Sequence, residues 1–313
     1  MRRSLAATSP SAASRRAGVQ RIRRGRVDHP AAPYLLIAPA FVVYGLFMLY
    51  PLGKAVHLSL FEWDGMSLGV FVGAGNYADL AADGALRASF VHAGVLMIFY
   101  CVLPLVIGVV IAAVLSRARV RGLGFFRTVF FVPQVIAMVV VATAWSGIYA
   151  FNGPLNAALR GVGLDRLAQD WLGSYVFALP AIGLIGTWVQ IGLVTVLMLS
   201  GMAKINPELF EAARLDGAGA IREFFAVTWP SVTGETAVAL TLTIVAALKT
   251  FDLVYMTTSG GPGTSTTVPS YQVYYQAFRL HEVGMAAAIG VTLTALIFLI
   301  NLVVNRAADR AAA

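Results

Sequence analysis

Residues 171–203 read WLGSYVFALPAIGLIGTWVQIGLVTVLMLSGMA, an uncharged run between Asp170 and Lys204. Residues 204–230 follow as KINPELFEAARLDGAGAIREFFAVTWP, and charge returns with them. A helix needs about 20 apolar residues to cross a bilayer core. The first run exceeds that length. How often such a run recurs along the chain sets the fold class.

It recurs at 34–53, 88–116, 128–159 and 283–305, each bounded by a charged residue or lying close to one. A sixth apolar run, 231–258, carries Glu235, Lys249 and Asp252. Lys249 and Asp252 stand at i and i+3, where one helix face would let them pair. The expected spans are about 34–53, 93–115, 128–150, 178–200, 232–256 and 284–305. Pro51, Pro104, Pro133 and Pro180 are tolerable in such helices. The expectation is an all-α polytopic membrane protein with six transmembrane helices. Composition agrees: 58% of the 313 residues are hydrophobic and 12% charged, with mean hydropathy +0.77. One or two soluble cores cannot hide that much apolar surface. A soluble globular enzyme and a disordered protein are both excluded.

The basic residues orient the spans. Of 23 Lys and Arg, 17 fall on one side: eight Arg between Arg2 and Arg26, then Arg117, Arg119, Arg121, Arg127, Lys204, Arg214, Arg222, Arg306 and Arg310. The other side holds Lys54, Arg87, Arg160, Arg166 and Arg279. Both termini are therefore expected in the cytoplasm. Residues 1–30 read as a disordered Arg-rich tail touching anionic lipid, 31–306 as the transmembrane domain, and 307–313 as a second tail. The +8 net charge is thus a topology signal, and no nucleic-acid partner is expected. The first apolar run is too long for a typical signal-peptide core, so a retained helix is expected.

Catalytic patterns are missing. Lys54, Lys204 and Lys249, the three lysines, do not fit a phosphate-binding G-x-x-x-x-G-K-[ST] loop. His29, His57, His92 and His281 lack metal-ligand spacing. The single cysteine, Cys101, lies in an apolar run, where a small buried side chain is the expectation. No G-x-S-x-G nucleophile elbow occurs. The chain is expected not to be an enzyme and to carry no metal or cofactor. Energy for work would come from a gradient or a partner.

The segment 201–230 holds much of the local detail. Asn206 can cap a helix and Pro207 suits its first position. Glu208 and Glu211 lie in the first turns, where the helix dipole favours them. Ala212 and Ala213 allow another surface to approach closely. Asp216, Gly217, Ala218 and Gly219 break the helix. Ile221, Phe224, Phe225 and Thr228 then recur at helical spacing, and Pro230 marks entry into the next span. A helix-turn-helix is expected. On these features alone it serves equally as an interfacial linker or as a lever for a partner.

Glu211-Ala212-Ala213, three residues, Gly217, nine residues, then Val227-Thr228-Trp229-Pro230 resembles the EAA loop of binding-protein-dependent ABC importer permeases. Val227 and Trp229 replace the family's Ile and Leu. The likeness extends along most of the chain from Pro33. PYLLIAPAFVVYGLFMLYPLG with Ser59 looks like the first helix of the carbohydrate group; Phe71 to Tyr77 resembles its first external loop. Phe251-Asp252-Leu253-Val254-Tyr255 and Gly260-Gly261-Pro262, with Thr264 and Thr266, resemble the segment after span five. The maltose, glycerol 3-phosphate and multiple-sugar permeases are the group indicated.

The resemblance implies a type I importer permease fold in a bacterial inner membrane. It implies half of a translocation path for a sugar or related polar solute. It also implies a second related permease, two ATP-binding subunits carrying ATP and Mg, and an external solute-binding protein. Glu208, Glu211, Ala212, Ala213, Asp216, Gly217 and Pro230 would form the loop that couples to the ATPase.

Lys249, Asp252 and Tyr255 are candidates for the path or a gate; a structural ion pair is the alternative for the first two. Tyr255, Tyr271, Tyr274, Tyr275 and Trp188 could stack on sugars or anchor at the membrane interface. Gly260, Gly261 and Pro262 would contact the binding protein or form a plain flexible turn. A gradient-driven secondary transporter is the competing class, although no internal repeat links the two halves.

Overall fold

The computed structural model describes residues 32–117 and 122–312. The expected Arg-rich tail, Arg119 and Arg121 lie outside the described residues. The chain divides between Pro51 and Leu52 into two units. The first contains the helix Ala32–Tyr44 and the π-turn Gly45–Leu49. Its large apolar side chains, Leu36, Phe41 and Phe47 among them, are exposed. A helix apolar on all sides suits hydrocarbon rather than water.

The second unit opens with helical residues to Leu58. A two-residue antiparallel hairpin pairs Phe61 with Phe71 and Glu62 with Val70. The short helix Gly75–Ala82 follows. Tyr34–Leu58, Gly84–Ser116, Ala178–Met202 and Val283–Arg310 are long and apolar enough to cross a membrane. Two bent pairs, Gly124–Val135 with Met138–Gly161 (94°) and Ala220–Ser231 with Thr233–Leu248 (69°), meet the same test together. Counting each bent pair as one crossing gives six, as expected.

Besides the first span running on to Leu58 and the sixth to Arg310, three boundaries differ from expectation. The second span starts at Gly84, because the Asp83 carboxylate accepts from the N–H groups of Ala85 (2.7 Å) and Leu86 (2.9 Å). This cap extends the helix beyond the apolar run. The third is interrupted at Ile136 and Ala137, whose backbones are extended. The fifth ends at Leu248, not near 256, and a separate helix, Asp252–Thr257, follows.

Three prolines share a local effect that Pro39 and Pro133, inside helices without a π-turn, do not show. Gly45–Leu49, Ile98–Val102 and Phe224–Thr228 are π-turns, and Pro51, Pro104 and Pro230 each stand two residues beyond one. In each case the residue just before proline donates its N–H five residues back: Tyr50 to Gly45, Leu103 to Ile98, Trp229 to Phe224. A proline ring collides with the carbonyl four residues earlier and supplies no N–H. Widening the preceding turn by one residue relieves both problems without ending the helix.

The core lies between the second, fourth and fifth spans. Leu96, Ile182, Ile185, Leu248 and Leu253 are fully buried or nearly so. Glycine sets the closeness of the fourth span to its neighbours. A Cβ at Gly183 would strike the Phe99 ring, and one at Gly186 the Tyr100 ring. At Gly192 it would strike the Phe130 carbonyl of the third span. Such small-residue seats allow helix contact where no water-driven force joins helices. Cys101 is buried and free, as expected.

Candidate functional site

The helix Pro207–Leu215 is closed at both ends by its own sequence. The Asn206 side chain accepts from the Glu208 N–H (3.1 Å), and Pro207 takes the first position. At the other end Ala218 N–H donates to Ala213 O (2.9 Å) and Gly217 N–H to Arg214 O (3.0 Å). With Gly217 at φ +75°, this is a Schellman cap. Glu208, Glu211, Ala212, Asp216 and Gly217 are exposed, and Ala213 is half-buried. Leu215, also exposed, shows 89% of its surface, and Leu209 shows 50%. The candidate loop residues therefore share one short, rigid, solvent-facing element. Pro230 lies apart from them, at the far end of the second limb.

That second limb runs Ala220–Glu223, the π-turn Phe224–Thr228, then Trp229–Ser231. Ile221 and Phe225 are exposed, while Glu223 and Thr228 are buried. Of the four residues at helical spacing, only Ile221 and Phe225 share an exposed side; Phe224 is half-buried. The π-turn adds a residue to the helical phase and so turns Thr228 inward. Between the limbs is a cavity of ≈ 660 Å³, lined by Phe210, Glu211, Arg214, Ala220, Glu223 and Thr228 among others.

Among the described residues two ion pairs brace this region, and sequence reasoning missed both. Arg214 Nε donates to Glu223 Oε2 at 3.0 Å, joining the limbs. Lys204 Nζ donates to Glu235 Oε1 at 2.9 Å, joining the end of the fourth span to the foot of the fifth. The nine-residue and 31-residue separations carry no helical spacing signal. Only the turn at 216–219 and the antiparallel return of the chain bring the partners together.

The expected Lys249–Asp252 pair does not form. Lys249 caps the helix Thr233–Leu248, and Asp252 begins the next one. The break between them removes the shared helix face on which the pairing rested. Both side chains are exposed. Thr250 anchors the break: Tyr100 of the second span meets its hydroxyl at 3.0 Å, and the Ser270 hydroxyl donates to its carbonyl. Interrupted helix at membrane depth is tolerated where protein satisfies the freed backbone or where it borders water. Tyr255 stacks on Phe251 (5.2 Å between centroids, 16° between planes) and meets Tyr274 edge-on at 5.2 Å. Tyr271 stacks on Tyr275 at 6.1 Å. Trp188 lies elsewhere, against Trp145 at 5.6 Å.

Gly260, Gly261 and Pro262 belong to a loop closed by its own hydrogen bonds. Gly261 N–H donates to Thr258 O (2.9 Å) and Thr266 N–H to Gly260 O (3.2 Å). The Thr266 hydroxyl donates to Gly261 O (2.7 Å). His92 Nδ1 donates to Thr267 O (2.9 Å), tying the loop to the second span. Thr266 and Thr267 are buried beneath it.

Comparison with known proteins fits this arrangement. Residues 104–312 match the family described as "Binding-protein-dependent transport system inner membrane component". "Probable ABC transporter permease protein YurN" of Bacillus subtilis is 38% identical over 260 residues, 82% of this chain and 89% of that protein. "Diacetylchitobiose uptake system permease protein NgcF" of Streptomyces coelicolor is 31% identical over 305 residues, 91% of this chain and 86% of that protein. Among solved structures, a bacterial ABC transporter for import of the acidic polysaccharide alginate superposes with TM-score 0.75. That pair is 19% identical, over 89% of this chain and 95% of that one. The family match removes the gradient-driven secondary transporter as an alternative. A multi-pass helical chain that carries an exposed, capped loop and matches over residues 104–312 belongs to the inner membrane components of binding-protein-dependent transport systems.

Proposed function

We propose that this permease forms half of the translocation path of an ATP-driven importer for a sugar or related polar solute, coupled to separate ATPase subunits through residues 206–220. The observation that carries the coupling role is the rigid helix Pro207–Leu215, capped at both ends and exposing Glu208, Leu209, Ala212 and Leu215. Exposed Leu at such positions suits a protein cleft better than water. ATP and Mg would be held by two partner subunits, and a second, related permease would complete the path. Both termini would lie in the cytoplasm, as the basic residues indicate.

The sugar assignment rests on the diacetylchitobiose uptake relative and on the Phe251, Tyr255, Tyr271 and Tyr274 rings near the broken fifth span. Aromatic faces with hydroxyl edges suit sugar rings. Lys249, Asp252 and Tyr255 would border the path. Gly260, Gly261 and Pro262 would meet the external binding protein.

Co-purification tests the assembly: the tagged chain should bring down an ATPase and a second permease. Glu211→Arg should abolish uptake of the solute and weaken ATPase capture. Normal capture and normal uptake by Glu211→Arg would remove the coupling role.

A further inference from the structure

A lever transmits force only if it is stiff, and the local sequence does little to stiffen this one. Its two limbs meet at Asp216–Gly219, where neither Gly217 nor Gly219 has any atom within 4 Å of a Cβ position. The second limb starts with a four-residue helix, Ala220–Glu223, followed at once by a π-turn. A helix that short has no stability of its own. Packing between the limbs is incomplete, since a cavity of ≈ 660 Å³ opens between them.

What bridges that cavity wall is an ion pair. Arg214, in the last turn of Pro207–Leu215, donates through Nε to Glu223 at 3.0 Å. Glu223 is only 5% exposed. A buried carboxylate is costly unless a charge-assisted partner meets it, and Nε of a planar guanidinium is a directional donor. Arg214 is 65% exposed, so the anchored end of this pair is the carboxylate, which is more deeply buried than Glu235 in the Lys204–Glu235 pair.

We propose that Arg214 and Glu223 form a strut that makes the coupling helix and the foot of the fifth span move as one rigid body. Motion of a docked ATPase then reaches the span instead of being absorbed by the Asp216–Gly219 turn. Both are positioning residues: neither needs to touch the solute or ATP. The inference rests on the coupling role proposed above.

The test is solute taken up per ATP hydrolysed by the whole importer in proteoliposomes. Arg214→Lys keeps the charge, Arg214→Gln removes the charged bridge from the first limb, and the double variant Arg214→Met with Glu223→Met removes the pair and its buried charge together. The double variant and Arg214→Gln should lose about tenfold or more in uptake per ATP, and Arg214→Lys about threefold or less. A double variant with the wild-type ratio overturns the strut. Should that variant fail to assemble, equal ratios for Arg214→Lys and Arg214→Gln overturn it instead. Glu211→Arg, measured beside them, separates the two levels. If it too leaves the ratio unmoved, the coupling role falls with the strut; if it lowers the ratio while the strut variants do not, only the strut falls.

Discussion

Lys204 Nζ meets Glu235 Oε1 at 2.9 Å, so the foot of the fifth span is tied to the end of the fourth beneath the intervening loop. The side chains are 70% and 21% exposed. Such a pair is screened by water and salt. A double-mutant cycle of Lys204→Ala and Glu235→Ala, read by thermal denaturation in detergent, should give about 0.2–1 kcal/mol of coupling. Raising ionic strength should shrink it.

Gly192 carries a larger penalty. A Cβ there meets the Phe130 carbonyl, and backbone cannot swing aside as a flexible side chain can. Gly192→Ala should destabilise the protein by about 1–3 kcal/mol. Gly94 is the control: it is also helical, but nothing lies within 4 Å of its Cβ position. Gly94→Ala should be neutral or stabilise by up to about 1 kcal/mol. Thermal denaturation of the two variants side by side checks the contrast.

What could be read from the residues follows how local each cause is. Asn206, Pro207 and Gly217 bound the coupling helix because caps act within one turn. Apolar run length exposed the six crossings for the same reason. The break at Thr250 was hidden, because Lys249 and Asp252 suit the interfacial end of a continuous helix equally well and the groups that hold the break, Tyr100 and Ser270, come from 150 and 20 residues away. Lys249 and Asp252 looked like a helical pair only while the helix was assumed continuous. The Arg214–Glu223 pair depends on the fold of the turn between its members, a tertiary fact. Pro230 was legible as a boundary, but the π-turn it imposes on Phe224–Thr228, which shifts the phase of that limb, was not.

Asn156 organises the segment after the third span. It is fully buried. Its Nδ2 donates to the carbonyls of Phe151 (3.1 Å) and Gln169 (2.8 Å), while Oδ1 accepts from Trp171 Nε1 (2.9 Å). Asn156→Asp replaces the donor with a carboxylate oxygen facing two carbonyls. The loss should be about 1–3 kcal/mol for each unsatisfied group. Trp171 emission, isolated by difference against Trp171→Phe, should shift to the red in Asn156→Asp. An unchanged spectrum would count against this network.

Asp64 gives the hairpin loop a pH response. Its Oδ1 accepts from the N–H groups of Met66 (2.9 Å) and Ser67 (2.7 Å) and from the Ser67 hydroxyl (2.8 Å). These bonds favour the charged form and hold the carboxyl down at about 2, from 3.8. The folded value lies below the unfolded one. The turn's added stability is thus full above about pH 4 and lost as pH falls toward 2. Trp63 Nε1 donates to Ser67 O at 2.8 Å and reports on the turn. Its emission should change over that acid range in the native protein, with no such step in Asp64→Asn.

Gly217 separates shape from size in the coupling loop. Its φ of +75° is one that side chains rarely adopt, yet nothing lies within 4 Å of its Cβ position. Within this chain, then, the constraint is conformational and not steric. Asn tolerates the left-handed region better than β-branched residues do. Gly217→Asn should cost roughly 1 kcal/mol or less, and Gly217→Val clearly more, because Val opposes the turn itself. The proposed coupling role adds a second constraint: an ATPase docked on this exposed turn would meet any side chain placed at 217. Thermal stability of the isolated permease and solute uptake by the assembled importer therefore diverge for Gly217→Asn. Stability should stay near wild type while uptake falls. Equal loss in both assays would assign Gly217 to the turn alone, and no loss in either would leave it no part in coupling.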